Sequence, residues 1–353
     1  MTGPSPPGPD PSEPPLEVLV TQTLGEAAAH DLAGLVPVLA EDLRHIDQRL
    51  EAVLQAQYPQ LTEAARYACR AGGKRVRPIL MAVTFRALGR TSTDAVRSLA
   101  AAFQLIHTAS LVHDDVIDHA EMRRGRPSVP RAYGLTTAIV AGDYLFVRAF
   151  ELASEYPRSI IMRCGESCAD LVEGEVLEDA GRYDLTRGPE HYFRVVERKT
   201  GAIVSAALAS VAEIAGAEPP IVDACARYGK ELGVAFQLRD DLLDLFGDPD
   251  LLGKPLYSDL REGNPTLVSL QAYARLDGAR RAEFEQLFAL EHKAPGDLLR
   301  LKALAEASGA RETVASEAEL WAERAVRSLE PLPNSPYRTL LSAMARGAAL
   351  RRF

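Results

Sequence analysis

The chain has 353 residues, of which 47% are hydrophobic, 6% aromatic and 25% charged, and its formal net charge is -9. That is enough apolar material for a substantial core in one large domain or two of ordinary size. The acidic balance argues against a nucleic-acid binder, which needs a basic surface, and suits a soluble cytoplasmic protein.

Residues 1–15, MTGPSPPGPDPSEPP, are dominated by proline. They cannot bury enough apolar area to fold, so a disordered tail is predicted there. The N-terminus lacks the basic-then-apolar layout of a secretory leader, and no apolar run looks long enough to span a membrane. Helical periodicity begins near Leu16 and is clear over 31–57 and 96–119. Brief turn signals punctuate it at Gly72-Gly73, Gly125-Arg126-Pro127, Gly188-Pro189, Pro219-Pro220 and Gly247-Asp248-Pro249. The Ala-rich stretch 201–217 is apolar on wide faces, as a bundle interior requires. The stretch 295–324 is more charged and is expected on the outside. No alternating pattern argues for strands. The prediction is a single all-α domain over 16–353 with ten or more helices. Cys69, Cys164, Cys168 and Cys225 are too few and too scattered for a disulfide framework and read as structural thiols.

Two acidic clusters share one spacing: Asp114-Asp115-Val116-Ile117-Asp118 and Asp240-Asp241-Leu242-Leu243-Asp244. Each reads D-D-x-x-D and follows an apolar run, Ala109 to Val112 or Val234 to Leu238. On a helix the first and last Asp of each cluster share a face one turn apart. Grouped carboxylates beside apolar surface are costly unless cations neutralise them. Oxygen ligands with no His or Cys partner favour Mg²⁺ over zinc, and Mg²⁺ commonly joins one or two carboxylates to substrate phosphates. Two such helices suit a diphosphate held through metal.

Basic residues add to this reading. Gly72-Gly73-Lys74-Arg75-Val76-Arg77-Pro78 puts three cations beside two glycines, and Arg123-Arg124-Gly125-Arg126 follows the first cluster. Glycines let backbone N–H groups approach an anion, and arginine binds phosphate bidentately. Lys199-Thr200 and Lys254 are further candidates.

Together these segments resemble the trans-type (E-type) polyprenyl diphosphate synthases. The matching pieces are Leu111 to Pro127, Phe236 to Asp244, GGKRVRP at Gly72 to Pro78, GDYLF at Gly142 to Phe146 and GKP at Gly253 to Pro255. The resemblance covers nearly everything after the proline-rich segment. It implies an all-α isoprenoid synthase bundle around a central elongation cavity, usually a homodimer, which condenses isopentenyl diphosphate with an allylic diphosphate head to tail. By position it implies that Asp114 and Asp118 hold Mg²⁺ on the allylic diphosphate. Asp240 would hold a further Mg²⁺, and Asp115, Asp241 and Asp244 complete the acidic set around three ions. Arg123, Lys199 and Lys254 would contact the allylic diphosphate, and Lys74, Arg77, His107 and Arg124 would bind isopentenyl diphosphate. Thr200 and Gln237 would line the reacting centre.

The chain departs from the family pattern at four places. Glu178 closes a Gly-Glu-x-x-Gln segment, Tyr257 stands at a frequent glycine, Asn264 at a frequent lysine and Val268 at a usual proline. Within the family, bulky residues just before the first Asp cluster stop product growth. Ala109 and Ser110 are small, and Phe103 stands about 16 Å further back along the helix, on nearly the same face. The resemblance therefore implies a long-chain product, a quinone side-chain precursor, with peripheral membrane contact for its release. The rivals are a short-chain farnesyl or geranylgeranyl synthase, a class I terpene cyclase, a non-catalytic subunit, and a catalytic subunit needing a different partner chain. A cyclase has no need of the Gly72 to Arg77 site, and a non-catalytic subunit would be expected to lose its Asp clusters.

Overall fold

The structure, a computed structural model, describes residues 33–71, 75–249 and 256–350. The predicted tail 1–15, Lys74 and Lys254 lie outside the described residues. The chain divides into two compact units.

The first unit spans residues up to 82 and 94–155. It contains α1 (Val36–Val53), α2 (Pro59–Cys69) and the start of α3 (Val76–Ala87). There follow α4 (Arg97–Ile117), strands β1 (Met122–Arg123) and β2 (Arg126–Pro127), α5 (Val129–Tyr133) and α6 (Leu135–Ala153). Helix α4 is the core of this unit. Its residues from Ser98 to Ile106 are buried on every side, as expected of a helix apolar around its whole circumference. By length and composition the helical stretch Asp94–Ile117 is long and apolar enough to cross a membrane, contrary to the sequence expectation, but most of it is buried inside the protein.

Helix α6 lies close along α4. A Cβ at Gly142 would sit 2.2 Å from His113 Nε2, so glycine in the GDYLF segment permits this approach. The short hairpin was not expected from the sequence. Arg123 pairs with Arg126 across it, leaving Arg124 (φ 52°) and Gly125 (φ 77°) as the loop. Two successive left-handed residues make a primed turn, the kind that matches strand twist. Strands of two residues carry no readable alternation.

The second unit spans 83–93 and residues from 156 onward. It contains α7 (Arg158–Asp179), α8 (Gly188–Val196), a π-helical turn at Glu197–Gly201, α9 (Ala202–Ile214) and the 28-residue α10 (Pro219–Phe246). Next come α11 (Ser258–Glu262), α12 (Leu267–Arg275), α13 (Gly278–Phe288), α14 (Pro295–Ala307), α15 (Ala310–Ser328) and α16 (Pro336–Leu350). Helix α10 packs against α9, α15 and α16. A Cβ on its Gly233 would lie 3.0 Å from Gly201 Cα, so that pair of glycines brings α10 onto the π turn. The charged stretch near the C-terminal third is not wholly external. Leu298, Leu301, Leu304, Val314, Ala318 and Ala322 join the buried apolar cluster, while its charges face out. All four cysteines are free thiols. Three are buried and Cys168 is part-buried.

Candidate active site

Within the first unit, the acidic cluster falls in the last turn of α4, with Asp118 as its C-cap residue. That is an unfavourable place for carboxylates, because the helix dipole is negative there. Asp114 and Asp118 are partly exposed. Asp115 is different: it is 2% exposed, and its Oδ1 accepts from Arg123 Nε at 2.7 Å and meets Nη2 at 2.6 Å. Burial raises the Asp115 pKa against the opposing pull of Arg123. The carboxylate placed in the metal set by sequence is thus paired with Arg123.

Cations gather around His107 on α4. Its pKa is held well below the ordinary value by burial and by Arg77, Arg124, Arg123 and Arg75, so the imidazole is neutral at pH 7. Burial and Arg124 also push Arg77 down to about 10, and among the described residues its buried Nε finds no hydrogen-bond partner. A cleft nearby is lined by Arg75, Thr108, Asp115, Arg123, Arg124 and Arg126, among others. Arg126 is fixed at its rim by stacking 4.0 Å over Tyr67. Grouped guanidinium groups with an unanswered buried N–H suit an anionic ligand. Ala109 and Phe103 are completely buried. Ser110 is buried as well, and its hydroxyl donates to the His107 carbonyl at 2.9 Å.

Within the second unit, the repeat of the cluster lies in the last two turns of α10. Asp240 is partly exposed. Asp241 is 4% exposed, and its two oxygens accept from the Tyr192 hydroxyl at 2.6 Å and Gln237 Nε2 at 2.9 Å. The Thr200 hydroxyl donates to Gln237 Oε1 at 3.3 Å. Thr200, Gln237 and Asp241, all singled out from sequence, thus form one chain of hydrogen bonds. Tyr192 was not foreseen. Burial pushes Asp241 up to about 7, against the hydrogen bonds from Tyr192 and Gln237. Asp244 is 5% exposed and accepts from the Asp259 backbone N–H at 3.2 Å. Asp259 is a second residue not foreseen. Burial and then Asp244, Asp241, Glu262 and Glu178 raise its pKa well above the usual range. Lys199, on the π turn, pairs with Glu175 and Glu178.

The departures have local explanations. Tyr257 has φ 70°, the left-handed region that favours glycine. Its N–H reaches the Asp244 carbonyl at 3.0 Å. Val268 is fully buried in the first turn of α12 after its N-cap, Thr266, where proline would also fit. Asn264 is buried and donates to Glu262 at 3.0 Å.

Among the described residues no three His, Cys, Asp or Glu side chains form a preformed metal group. The donor chemistry nevertheless fits a hard cation. Mg²⁺ takes only one or two carboxylates and fills the rest of its shell with water and phosphate. Burial, and after it the repulsion of neighbouring carboxylates, raises Asp241 and Asp259, and a bound cation relieves that repulsion.

Residues 58–305 match the family model described as Polyprenyl synthetase. The chain is 33% identical over 313 residues to the all-trans-nonaprenyl-diphosphate synthase (geranyl-diphosphate specific) of Rhodobacter capsulatus, covering 88% of this chain and 95% of that one. It is 37% identical over 243 residues to heptaprenyl diphosphate synthase component 2 of Geobacillus stearothermophilus, covering 68% and 75%. The crystal structure of polyprenyl synthase from Caulobacter crescentus CB15, complexed with calcium and isoprenyl diphosphate, superposes with a TM-score of 0.86 at 33% identity, covering 91% and 98%. The chain therefore belongs to the polyprenyl synthetase family of prenyl-transferring enzymes and has that family's all-α fold.

Proposed function

We propose that this enzyme condenses isopentenyl diphosphate with an allylic diphosphate, repeatedly and head to tail, to make a long-chain all-trans polyprenyl diphosphate that serves as a quinone side-chain precursor. The observation that carries the long-chain reading is the small, buried pair Ala109 and Ser110 before Asp114, with the Ser110 hydroxyl turned back onto its own helix. A product growing along α4 meets no bulky side chain at that pair and reaches Phe103 about 16 Å from Asp114. The nonaprenyl and heptaprenyl names of its relatives support the same reading.

In this mechanism Asp114 and Asp118 would hold Mg²⁺ on the allylic diphosphate, Asp240 would hold a further Mg²⁺, and Asp244 would add charge beside Asp240. Bound magnesium supplies charge neutralisation for the departing diphosphate. Asp115 steadies Arg123, and Asp241 steadies Gln237, through the bonds described above. Arg123, Lys199 and Lys254 contact the allylic diphosphate, where fixed cations stabilise charge as it develops. Lys74, Arg77, Arg124 and the neutral His107 hold isopentenyl diphosphate. Thr200 and Gln237 line the reacting centre. Apolar walls keep water from the allylic cation, and the released diphosphate takes the final proton.

Exposed apolar residues on one face of α6, Ile139, Val140 and Val147, support a homodimer. The heptaprenyl relative is a numbered component, which favours a second reading in which a different chain is needed. Cytoplasmic location, with peripheral membrane contact as the apolar product leaves, belongs to the main reading.

The test is to incubate the purified chain alone with Mg²⁺, labelled isopentenyl diphosphate and several allylic primers, and to size the products. Chains beyond geranylgeranyl length are expected, and Ser110→Phe is expected to shorten them. Unshortened products would remove the role of this pair. Inactivity alone with activity restored by a second component would establish the other reading.

A further inference from the structure

The surroundings of Lys199 hold more negative charge than is needed to place it. Its Nζ contacts Glu175 Oε2 at 2.6 Å and also contacts Glu178 Oε2. The stem is already fixed, because a Cβ on Gly174 of α7 would lie 2.8 Å from Lys199 Cγ. The three groups are only 19–26% exposed, so water screens them incompletely. Burial alone would lower the Lys199 pKa, but Glu178 and Glu175 outweigh it and hold the ammonium charged. The trio carries a net charge of -1, and Glu178 takes one of the three ammonium N–H donors. The charge of Glu178 is also felt at Asp259 and Tyr192 beside the second Asp cluster.

We propose that Glu178 is a positioning residue that weakens the grip of Lys199 on the allylic diphosphate. It occupies one of the N–H donors and sets a like charge where the diphosphate arrives. This rests on the reading of Lys199 as a diphosphate contact. The consequence is a site that binds primer and elongated product loosely enough to let them go, while the isopentenyl diphosphate site is unaffected.

Glu178→Gln keeps the shape and removes the charge. The KM for the allylic primer and the inhibition constant of inorganic diphosphate with Mg²⁺ are expected to fall together, by about tenfold for a like charge removed at contact range. The KM for isopentenyl diphosphate stays constant, and Glu178→Asp, which keeps the charge, stays near wild type. Glu178→Met gives the same direction if the glutamine variant does not fold. Unchanged or raised constants for primer and diphosphate in the charge-removing variants overturn the proposal, as does an equal shift for isopentenyl diphosphate. Calorimetric binding of inorganic diphosphate with Mg²⁺ separates the two readings. If the wild type transfers no prenyl group yet binds diphosphate more tightly once Glu178 is neutralised, prenyl transfer fails and the role of Glu178 stands. If the wild type transfers prenyl groups and neither constant moves, the role of Glu178 fails alone.

Discussion

In the first Asp cluster the middle carboxylate is clamped by one cation, Arg123; in the second it is held by two neutral donors, Tyr192 and Gln237. The wider surroundings differ in the same sense. Around His107 the neighbouring charges are arginines, whereas Asp241 and Asp259 share their space with further carboxylates. One sequence pattern has thus been set into a basic pocket in one unit and an acidic pocket in the other. What the two keep in common is a buried middle Asp and a partly exposed first Asp at the end of a buried helix. The comparison separates the buried middle carboxylates, each held by named partners, from the partly exposed first ones.

The widest gap should open between the exposed and buried members. Asp114→Asn and Asp240→Asn are each expected to lower kcat by about a thousandfold, the scale of losing a principal electrostatic contact to the reacting charge. Activity within tenfold of wild type in either variant would dissolve the distinction. Next comes Asp115→Asn, which strands Arg123. Breaking a fully buried pair costs about 3–5 kcal/mol; the partly exposed arginine reduces this to roughly 2–3 kcal/mol by solvent screening. Asp241→Asn should cost only about 1 kcal/mol, since neutral donors can bond an amide as well. Urea unfolding of the two variants measures the order, and the reverse order would contradict the assignment of partners.

A smaller effect probes the basic pocket through pH. His107 has a depressed pKa in the folded protein, so the unfolded chain binds its proton first as pH falls. Stability that is present at neutral pH is therefore lost below about 6.5, the ordinary histidine value, by up to about 1.4 kcal/mol per pH unit. His107→Gln should flatten the stability profile between about pH 6.5 and 5 by that amount. The smallest effect concerns Asp118, a carboxylate at a helix C-terminus. Asp118→Asn should stabilise the folded protein by about 0.3–1 kcal/mol through the helix dipole while lowering activity, a trade visible by comparing melting temperature with turnover.

Much of this was legible in the chain. The D-D-x-x-D spacing, the apolar runs before it and the scarcity of strand patterns pointed to carboxylates at the ends of buried helices, and α4 and α10 place them there. The partners were less legible. Tyr192 is 49 residues from Asp241, and only the packing of α8 beside α10 brings them together. Asp259 reaches Asp244 after a turn through the left-handed Tyr257, a conformation that a tyrosine gives no reason to expect. Arg123 was noticed as a cation, yet its pairing with Asp115 depends on a hairpin too short to leave a pattern.

The π-helical turn at Glu197–Gly201 has a consequence for chain length as such. A π turn holds one residue more than the same stretch of α-helix, so the helical run from Gly188 to Ile214 contains a residue that its neighbours on either side do not need. On one flank Tyr192 must point at Asp241, and on the other Gly201 must meet Gly233. Deleting Arg198 would let the run close into an uninterrupted α-helix with its flanks nearly in phase, but the wide turn itself would vanish, and with it the positions from which Lys199 meets Glu178 and Thr200 meets Gln237. In this segment the count of residues is itself a functional quantity: most single substitutions on its exposed side leave the geometry intact, and a single deletion does not.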